Sequence, residues 1–210
     1  MMRVALVLAI VAQLGCKQRP TFHDAAPKPA VGGLLGTFEL TYYWVGYESD
    51  EPHAAANTTL YDRTCAPIAK VSARFATELS ISGAGKLADD RMVTVAGECT
   101  CKYSPCFRVI DEPWGVGASN RPLVPFRSLA VDRSQIAIGT ALWIEQLAGV
   151  DIPGTFPTVH DGCVVADDIG GRIKVGRIDW FVARKPYYRE IDEVLHLTKV
   201  TLFDGGERCH

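Results

Sequence analysis

The hydrophobic pattern near the start of the chain alternates over residues 34–47. Phe38, Leu40, Tyr42 and Trp44 occupy every second position, and threonine, glutamate and tyrosine fill the positions between them. A period of two is that of a β-strand with one buried face. We therefore predict a strand here, the first of the fold.

Further short apolar runs recur along the chain, separated by glycine, proline and aspartate. They lie at residues 129–131, 164–166, 180–183 and 195–203. Helical periodicity is scarce, and we predict one short helix over residues 66–75. Short apolar runs divided by turn residues are typical of all-β domains. The pattern thus predicts an all-β fold with loop insertions and short helices.

Residues 1–16 have the pattern of an export signal. A basic start is followed by an apolar stretch over residues 4–12, which is too short to span a bilayer. Leu14, Gly15 and Cys16 then resemble a bacterial lipoprotein processing site. That resemblance implies a lipid on Cys16, a membrane anchor, and an outer-membrane lipoprotein facing the periplasm. The alternative is a secreted or cell-surface protein that is cleaved nearby.

Composition divides the rest of the chain. Residues 17–33 are polar and rich in proline and alanine, which predicts a flexible tether. We expect one domain over residues 34–185 and a C-terminal extension over residues 186–210 that packs on it. The chain has 210 residues and a net charge of -2, which suits a single domain and a monomer but not the basic face of a nucleic-acid-binding protein.

The cysteines agree with export. Besides Cys16 there are six, an even number, and an oxidising compartment favours disulfides among them. They are Cys65, Cys99, Cys101, Cys106, Cys163 and Cys209. The alternative is a metal site at Cys99, Cys101 and Cys106, but Cys-x-Cys is not the usual zinc spacing. We predict disulfides, with no metal and no cofactor.

Acidic residues converge where two predicted strands meet. Asp167 and Asp168 follow an apolar run and precede the turn at Gly170 and Gly171, and Asp179 lies on the next run. Acids brought close together can hold one carboxyl in its protonated form, which a general acid near neutral pH requires. The alternative is that they are turn residues whose side chains bond their own backbone.

Three sequence segments together resemble the three-aspartate domain, a double-psi β-barrel. They are AVDRSQIAIGT with Asp132, ADDIGG with Asp168, and GRID with Asp179. The resemblance implies a six-stranded double-psi β-barrel over residues 34–185 with its three acids in one pocket. The chain departs from the family in placing Gly176 one residue late, after Val175. Either that segment is extended here or its turn is shifted by one residue.

The same resemblance implies an activity. Three-aspartate domains are similar to the catalytic domain of membrane-bound lytic transglycosylases, which cleave peptidoglycan between N-acetylmuramic acid and N-acetylglucosamine and leave 1,6-anhydro-muramyl ends. It implies that Asp168 is the acid and base, with Asp179 and Asp132 tuning or positioning it. Asp132 also fits a helix-capping box with Gln135.

Two points stay open from the sequence. Tyr43, Trp114, Arg121 and Lys174 are candidate substrate contacts, although packing or a capped barrel end explains the aromatic residues and the loop equally well. We also expect too little chain for a second domain that would wall a groove. The alternative function is therefore a non-catalytic peptidoglycan-binding or wall-loosening lipoprotein.

Overall fold

The structure is a computed structural model that describes residue 30, residues 32–154 and residues 159–209. The predicted signal segment, the lipidation site at Cys16 and nearly all of the tether lie outside the described residues. Within the described part of the chain, no helix is both long enough and apolar enough to cross a membrane.

Twelve strands and two α-helices form within these residues. The strands are β1 (Leu34–Tyr43), β2 (Gly46–Tyr47), β3 (Thr58–Tyr61), β4 (Pro67–Val71), β5 (Ala84–Lys86), β6 (Met92–Gly97), β7 (Cys106–Ile110), β8 (Ser128–Ala130), β9 (Ala141–Ile144), β10 (Cys163–Asp168), β11 (Arg177–Phe181) and β12 (Lys199–Asp204). The helices are α1 (Ala73–Ser82) and α2 (Lys185–Leu195).

Six of the strands close into a barrel in the order β1-β11-β8-β10-β9-β12. β1 and β11 are parallel, as are β8 and β10, and the other neighbours are antiparallel. Phe38 and Leu40 of β1 face the barrel core, as the alternation predicts, and join fully buried residues such as Trp180. The predicted six-stranded β-barrel is confirmed.

The barrel extends beyond residue 185. An extension was predicted over residues 186–210, whereas β12 within that segment is a barrel strand between β9 and β1. Val200 and Leu202 of β12 are buried in the barrel core, and Val200 lies opposite Phe38 of β1. Alternating burial along β12 therefore makes this segment part of the barrel, and α2 lies in the connection that leads to it.

A second lobe is inserted between β1 and β8. It comprises residues 46–110, with the sheet β2-β5-β6-β7, the β3-β4 hairpin and α1. Its own core includes the fully buried Leu60, Phe75, Leu79 and Phe107. The expectation of too little chain for a second domain that would wall a groove is therefore wrong, because one sheet, one hairpin and one helix enclose a core of their own in this lobe.

The helix of this lobe begins later than predicted. Residues 67–71 form β4, paired with β3, and α1 runs over Ala73–Ser82 instead of residues 66–75. The Ser72 hydroxyl accepts a hydrogen bond from the Phe75 N–H at 3.0 Å, which caps the first turn. Gly83 ends the helix in the left-handed conformation, with φ of 82°.

All six described cysteines form disulfides, as predicted. The pairs are Cys65–Cys101, Cys99–Cys106 and Cys163–Cys209. The sulfurs of Cys99, Cys101 and Cys106 do lie within 4.8 Å of one another. Because each is bonded to another cysteine, none of the three is a thiolate that could bind a metal.

Candidate functional site

A cleft of about 480 Å³ lies between the barrel and the second lobe. The barrel supplies Tyr43, Ala130, Asp168, Ile169, Gly170, Gly171 and Asp179, and the second lobe supplies Ser80, Ile81, Ser82, Gly83, Ala84, Thr94 and Val95. The remaining wall is Val116, Gly117, Ala118 and Leu123, from residues 115–123, which we call the cleft hairpin. Among the lining residues the charged side chains are two acids, Asp168 and Asp179.

Strand register brings these two acids to the same face of the sheet. Asp168 of β10 and Asp179 of β11 both lie opposite Ala130 of β8, one on each side of it. Residues that pair across neighbouring strands project from the same face. The small alanine between them leaves open space above it, and both carboxyls border that space.

The Asp168 carboxylate is partly buried and has hydrogen-bond donors. Its Oδ1 accepts from the Ile169 backbone N–H at 2.8 Å. Burial raises the pKa of Asp168, and the charge of Asp167 raises it further, while the N–H groups of Ile169 and Ala118 and the Tyr43 hydroxyl oppose that rise. These donors favour the ionised form of the carboxyl.

Asp179 has fewer donors. Burial raises the pKa of Asp179 to about 6, the Thr41 hydroxyl and Arg177 lower it, and the charge of Asp168 raises it. Its Oδ1 is buried and makes no hydrogen bond within the described part of the chain. A carboxyl with this pKa is about half protonated at pH 6 and about one tenth protonated at pH 7.

Tyr43 lies beneath the two acids. Its ring packs on Phe181, with 5.1 Å between centroids, and its hydroxyl is buried beside Asp168. Burial, the charges of Asp168 and Asp179, and that of Asp167 raise the pKa of Tyr43 well above its usual value, so the phenol is neutral. Tyr43, a candidate substrate contact from the sequence, does line the cleft, and its hydroxyl lies beside Asp168.

Asp132 does not join the other two aspartates. It is not among the residues that line the cleft. Its Oδ1 accepts from the Ser134 backbone N–H at 2.9 Å and from the Ser134 hydroxyl at 2.7 Å, and these bonds lower the pKa of Asp132. Of the two roles that the sequence offered for Asp132, catalysis and capping, this geometry is the capping one, here at a turn rather than at a helix. The structure therefore brings together two of the three predicted acids.

The other candidate contacts also lie outside the cleft lining. Arg121 pairs with Asp167, with 2.6 Å between Nε and Oδ1. Lys174 is exposed, and Trp114 is partly buried against a cluster that includes Val45 and Leu123.

The glycine turn before Asp179 is shifted by one residue. Gly176 has φ of 79°, a left-handed conformation that suits glycine, and the preceding Val175 is 71% exposed at the turn. The Gly176 N–H donates to the Gln135 side chain at 2.7 Å. Of the two sequence alternatives, the shifted turn is the one observed.

Sequence reasoning missed the cleft hairpin. A Cβ at Gly117 would lie 2.5 Å from the Asp167 carbonyl oxygen and 3.0 Å from Asp168 Cγ, so the hairpin approaches β10 more closely than a side chain permits. The glycines at positions 115 and 117 are the available signal, since paired glycines in a loop indicate close backbone approach. Nothing in the sequence says which strand they approach.

The 3D domain family matches residues 127–191, which include Asp132, Asp168 and Asp179. No curated protein sequence matches the chain. Among solved structures, E. coli MltA with bound chitohexaose has a TM-score of 0.56 at 15% identity, over 80% of this chain and 71% of that one. The membrane-bound lytic murein transglycosylase from Agrobacterium tumefaciens has a TM-score of 0.51 at 14% identity, over 80% and 73%. Residues 127–191 therefore match the 3D domain family, and the chain has an MltA-like fold.

Proposed function

We propose that the protein is a peptidoglycan lytic transglycosylase, which cleaves the bond between N-acetylmuramic acid and N-acetylglucosamine and leaves 1,6-anhydro-muramyl ends. One observation carries this proposal: a cleft in an MltA-like barrel holds two neighbouring, partly buried acids, Asp168 and Asp179, and the pKa of Asp179 is about 6. The E. coli MltA structure with a similar fold holds chitohexaose, which supports a glycan ligand.

The geometry favours Asp179 over Asp168 as the acid and base. Asp168 accepts hydrogen bonds that stabilise its ionised form, and its charge helps Asp179 to keep a proton. The buried Oδ1 of Asp179 has no protein partner within the described residues, so it lacks a donor that would hold the carboxyl in its ionised form. This division of roles reverses the one that the family resemblance implies.

The reaction needs one carboxyl to act twice. Asp179 gives its proton to the glycosidic oxygen, the bond between that oxygen and C1 of the muramyl sugar breaks, and an oxocarbenium-like centre forms at C1. The C6 hydroxyl of the same sugar then bonds to C1, and its proton passes to the Asp179 carboxylate. The ionised Asp168 stabilises the positive charge that develops at C1.

Digestion of purified peptidoglycan sacculi tests the proposal. We expect the protein to release muropeptides with 1,6-anhydro ends, identified by mass spectrometry. D179N should abolish release, D168N should reduce it, and D132N, whose side chain caps a turn, should leave it near the wild-type rate. Each variant is checked for folding by circular dichroism.

The outcomes separate this proposal from its alternatives. Reducing ends would identify a hydrolase, and binding to sacculi without release would identify a non-catalytic wall-binding protein. Release that D179N leaves unchanged would overturn the assignment of Asp179, and full loss in D168N alone would restore the role implied by the resemblance.

We also propose that the protein is exported and anchored as an outer-membrane lipoprotein through Cys16, where it would meet peptidoglycan glycan strands. The three disulfides support an oxidising compartment. Labelling of growing cells with a palmitate analogue should mark the wild-type protein, and C16S should remove the label. An unlabelled wild-type protein in the culture medium would indicate secretion instead.

A further inference from the structure

The two adjacent acids of β10 have different surroundings. Asp168 lines the cleft, whereas Asp167 does not, and the Asp167 side chain is 7% exposed. Asp167 Oδ1 accepts from Arg121 Nε at 2.6 Å, and Oδ2 accepts from the Ser128 hydroxyl at 2.8 Å. A buried carboxylate with both oxygens bonded is compensated for its lost hydration. The proposed reaction makes no use of this group.

Both partners of Asp167 are connected to the cleft hairpin. Arg121 lies in the second arm of the hairpin, where its backbone carbonyl accepts from the Gly117 N–H at 2.8 Å. Ser128 follows the hairpin, and its hydroxyl accepts from the Val124 N–H at 2.8 Å. Asp167 thus holds the hairpin directly through Arg121, and through Ser128 it holds Val124, the residue that follows the hairpin.

The first arm of the hairpin packs against Asp168. Gly117 approaches β10 so closely that it has no room for a Cβ, and the Ala118 N–H is among the groups that stabilise the Asp168 carboxylate. At the hairpin tip, Asn120 accepts from Arg108 of β7 at 2.7 Å. The hairpin therefore bridges the two walls of the cleft.

We propose that Asp167 and Arg121 are a positioning pair. Their ion pair holds the cleft hairpin against β10, which closes one wall of the cleft and presents the Ala118 N–H to Asp168. The effect on catalysis rests on the proposed function, whereas the effect on the hairpin does not.

Amide hydrogen exchange tests the structural half of this inference. In the wild type, the N–H groups of Gly117 and Leu123 donate across the hairpin. We expect D167N and R121Q to raise their exchange rates roughly ten-fold, since the hairpin then opens more often. R127Q, which breaks the Arg127–Asp161 pair near the start of β10, is the matched control and should leave these two rates unchanged.

Kinetics on soluble glycan strands test the catalytic half. R121Q should lower kcat roughly ten-fold or more with a smaller change in KM, because a displaced wall misplaces the reacting groups. R121Q should also shift the alkaline limb of the profile of kcat against pH to higher pH. The charged groups facing Asp179 are Asp168 and Arg177, and loss of the Arg121 charge leaves Asp167, the chain neighbour of Asp168, uncompensated on that side.

R121K keeps the positive charge and should recover most of the pH profile and part of kcat. Unchanged exchange at Gly117 and Leu123 in both D167N and R121Q would overturn the inference, whatever the activity. If the wild type releases no muropeptides, the proposed function fails, and the exchange rates together with an NMR titration of the Asp168 carboxyl in R121Q still decide this inference.

Discussion

At the scale of single residues, burial sets the acidity of Asp179. Its pKa rises from 3.8 to about 6, mainly through burial, so the folded protein binds a proton that the unfolded chain releases between those two values. Stability must therefore fall as pH rises through this range, because there the native state holds more protons than the unfolded state. The charged carboxylate then costs stability at every higher pH.

The first prediction follows from that cost. D179N should be more stable than the wild type at pH 8, by up to about 3 kcal/mol, which is the free energy that corresponds to this change in pKa. The difference should shrink as the pH is lowered and vanish near pH 4, where both side chains are neutral. Urea unfolding at pH 4, 6 and 8 measures it.

Asp132 supplies a control of opposite sign. Hydrogen bonds from Ser134 lower the pKa of Asp132, so its contribution is favourable above the unfolded pKa and is lost as the pH falls through the folded pKa. D132N should consequently be less stable than the wild type at pH 8. A D179N protein that is less stable than the wild type at pH 8 would contradict the assignment of a buried, poorly solvated carboxyl at residue 179.

Gly117 gives a second prediction at this scale. Its φ of -93° is open to any residue, so the effect of G117A is steric: the new Cβ would meet the Asp167 carbonyl oxygen at 2.5 Å. We expect a loss of about 1–3 kcal/mol in the free energy of unfolding and a reduced rate of muropeptide release. G33A is the matched control, since a Cβ there has nothing within 4 Å. Equal free energies of unfolding and equal release rates in G117A and G33A would show that the hairpin shifts to accommodate the new Cβ without loss of stability.

The sequence predicts the acids of the site better than it predicts their neighbours. Asp168 and Asp179 are identifiable because each lies in a short segment whose pattern ties it to a strand end or a glycine turn. The Tyr43 hydroxyl and the Ala118 N–H reach Asp168 through contacts between distant parts of the chain, which local patterns do not encode. Asp132 fits the same family pattern, yet its local bonds to Ser134 are the ones that form.

At the scale of elements, alternation is informative where one face of a strand meets a large core. β1 and β12 alternate cleanly and are barrel strands. The strands of the second lobe are short, and β2 and β5 have two and three residues, so no period can be read from them. That is why the barrel was predictable and the second wall of the cleft was not.

The disulfides give a prediction at this scale. Cys163–Cys209 links β10 to the segment after β12 across a sequence separation of 46, whereas Cys99–Cys106 closes a separation of 7 within the second lobe. On the chain-entropy account, removing them costs about 4 and about 2 kcal/mol respectively. C163A/C209A should thus unfold at a lower guanidinium concentration than C99A/C106A, without reductant present. Equal midpoints would mean that native-state effects outweigh loop closure at these sites.

At the scale of the whole molecule, both lobes form the walls of the cleft, but its charged lining residues come from the barrel. Both acids that line it come from the barrel, while the second lobe and the cleft hairpin contribute small, apolar and hydroxyl-bearing side chains. Ile81 and Ile169 line it with 69% and 42% of their surface exposed. Exposed apolar groups beside hydroxyls and backbone amides suit a neutral sugar chain, which presents both apolar faces and hydroxyls.

The absence of cationic side chains among the described lining residues sets how binding should respond to salt. Polyanion grooves use lysine and arginine, and their affinity falls by orders of magnitude with rising salt. We expect the D179N protein to bind peptide-free glycan strands, whose muramyl lactyl groups are carboxylates, with an affinity that does not fall between 50 and 500 mM NaCl, since the described cleft lining has no cationic side chain to pair with those carboxylates. Isothermal titration calorimetry measures this. A steep loss of affinity with salt would show that a basic surface outside the cleft carries the glycan, and the cleft would then no longer be the substrate site.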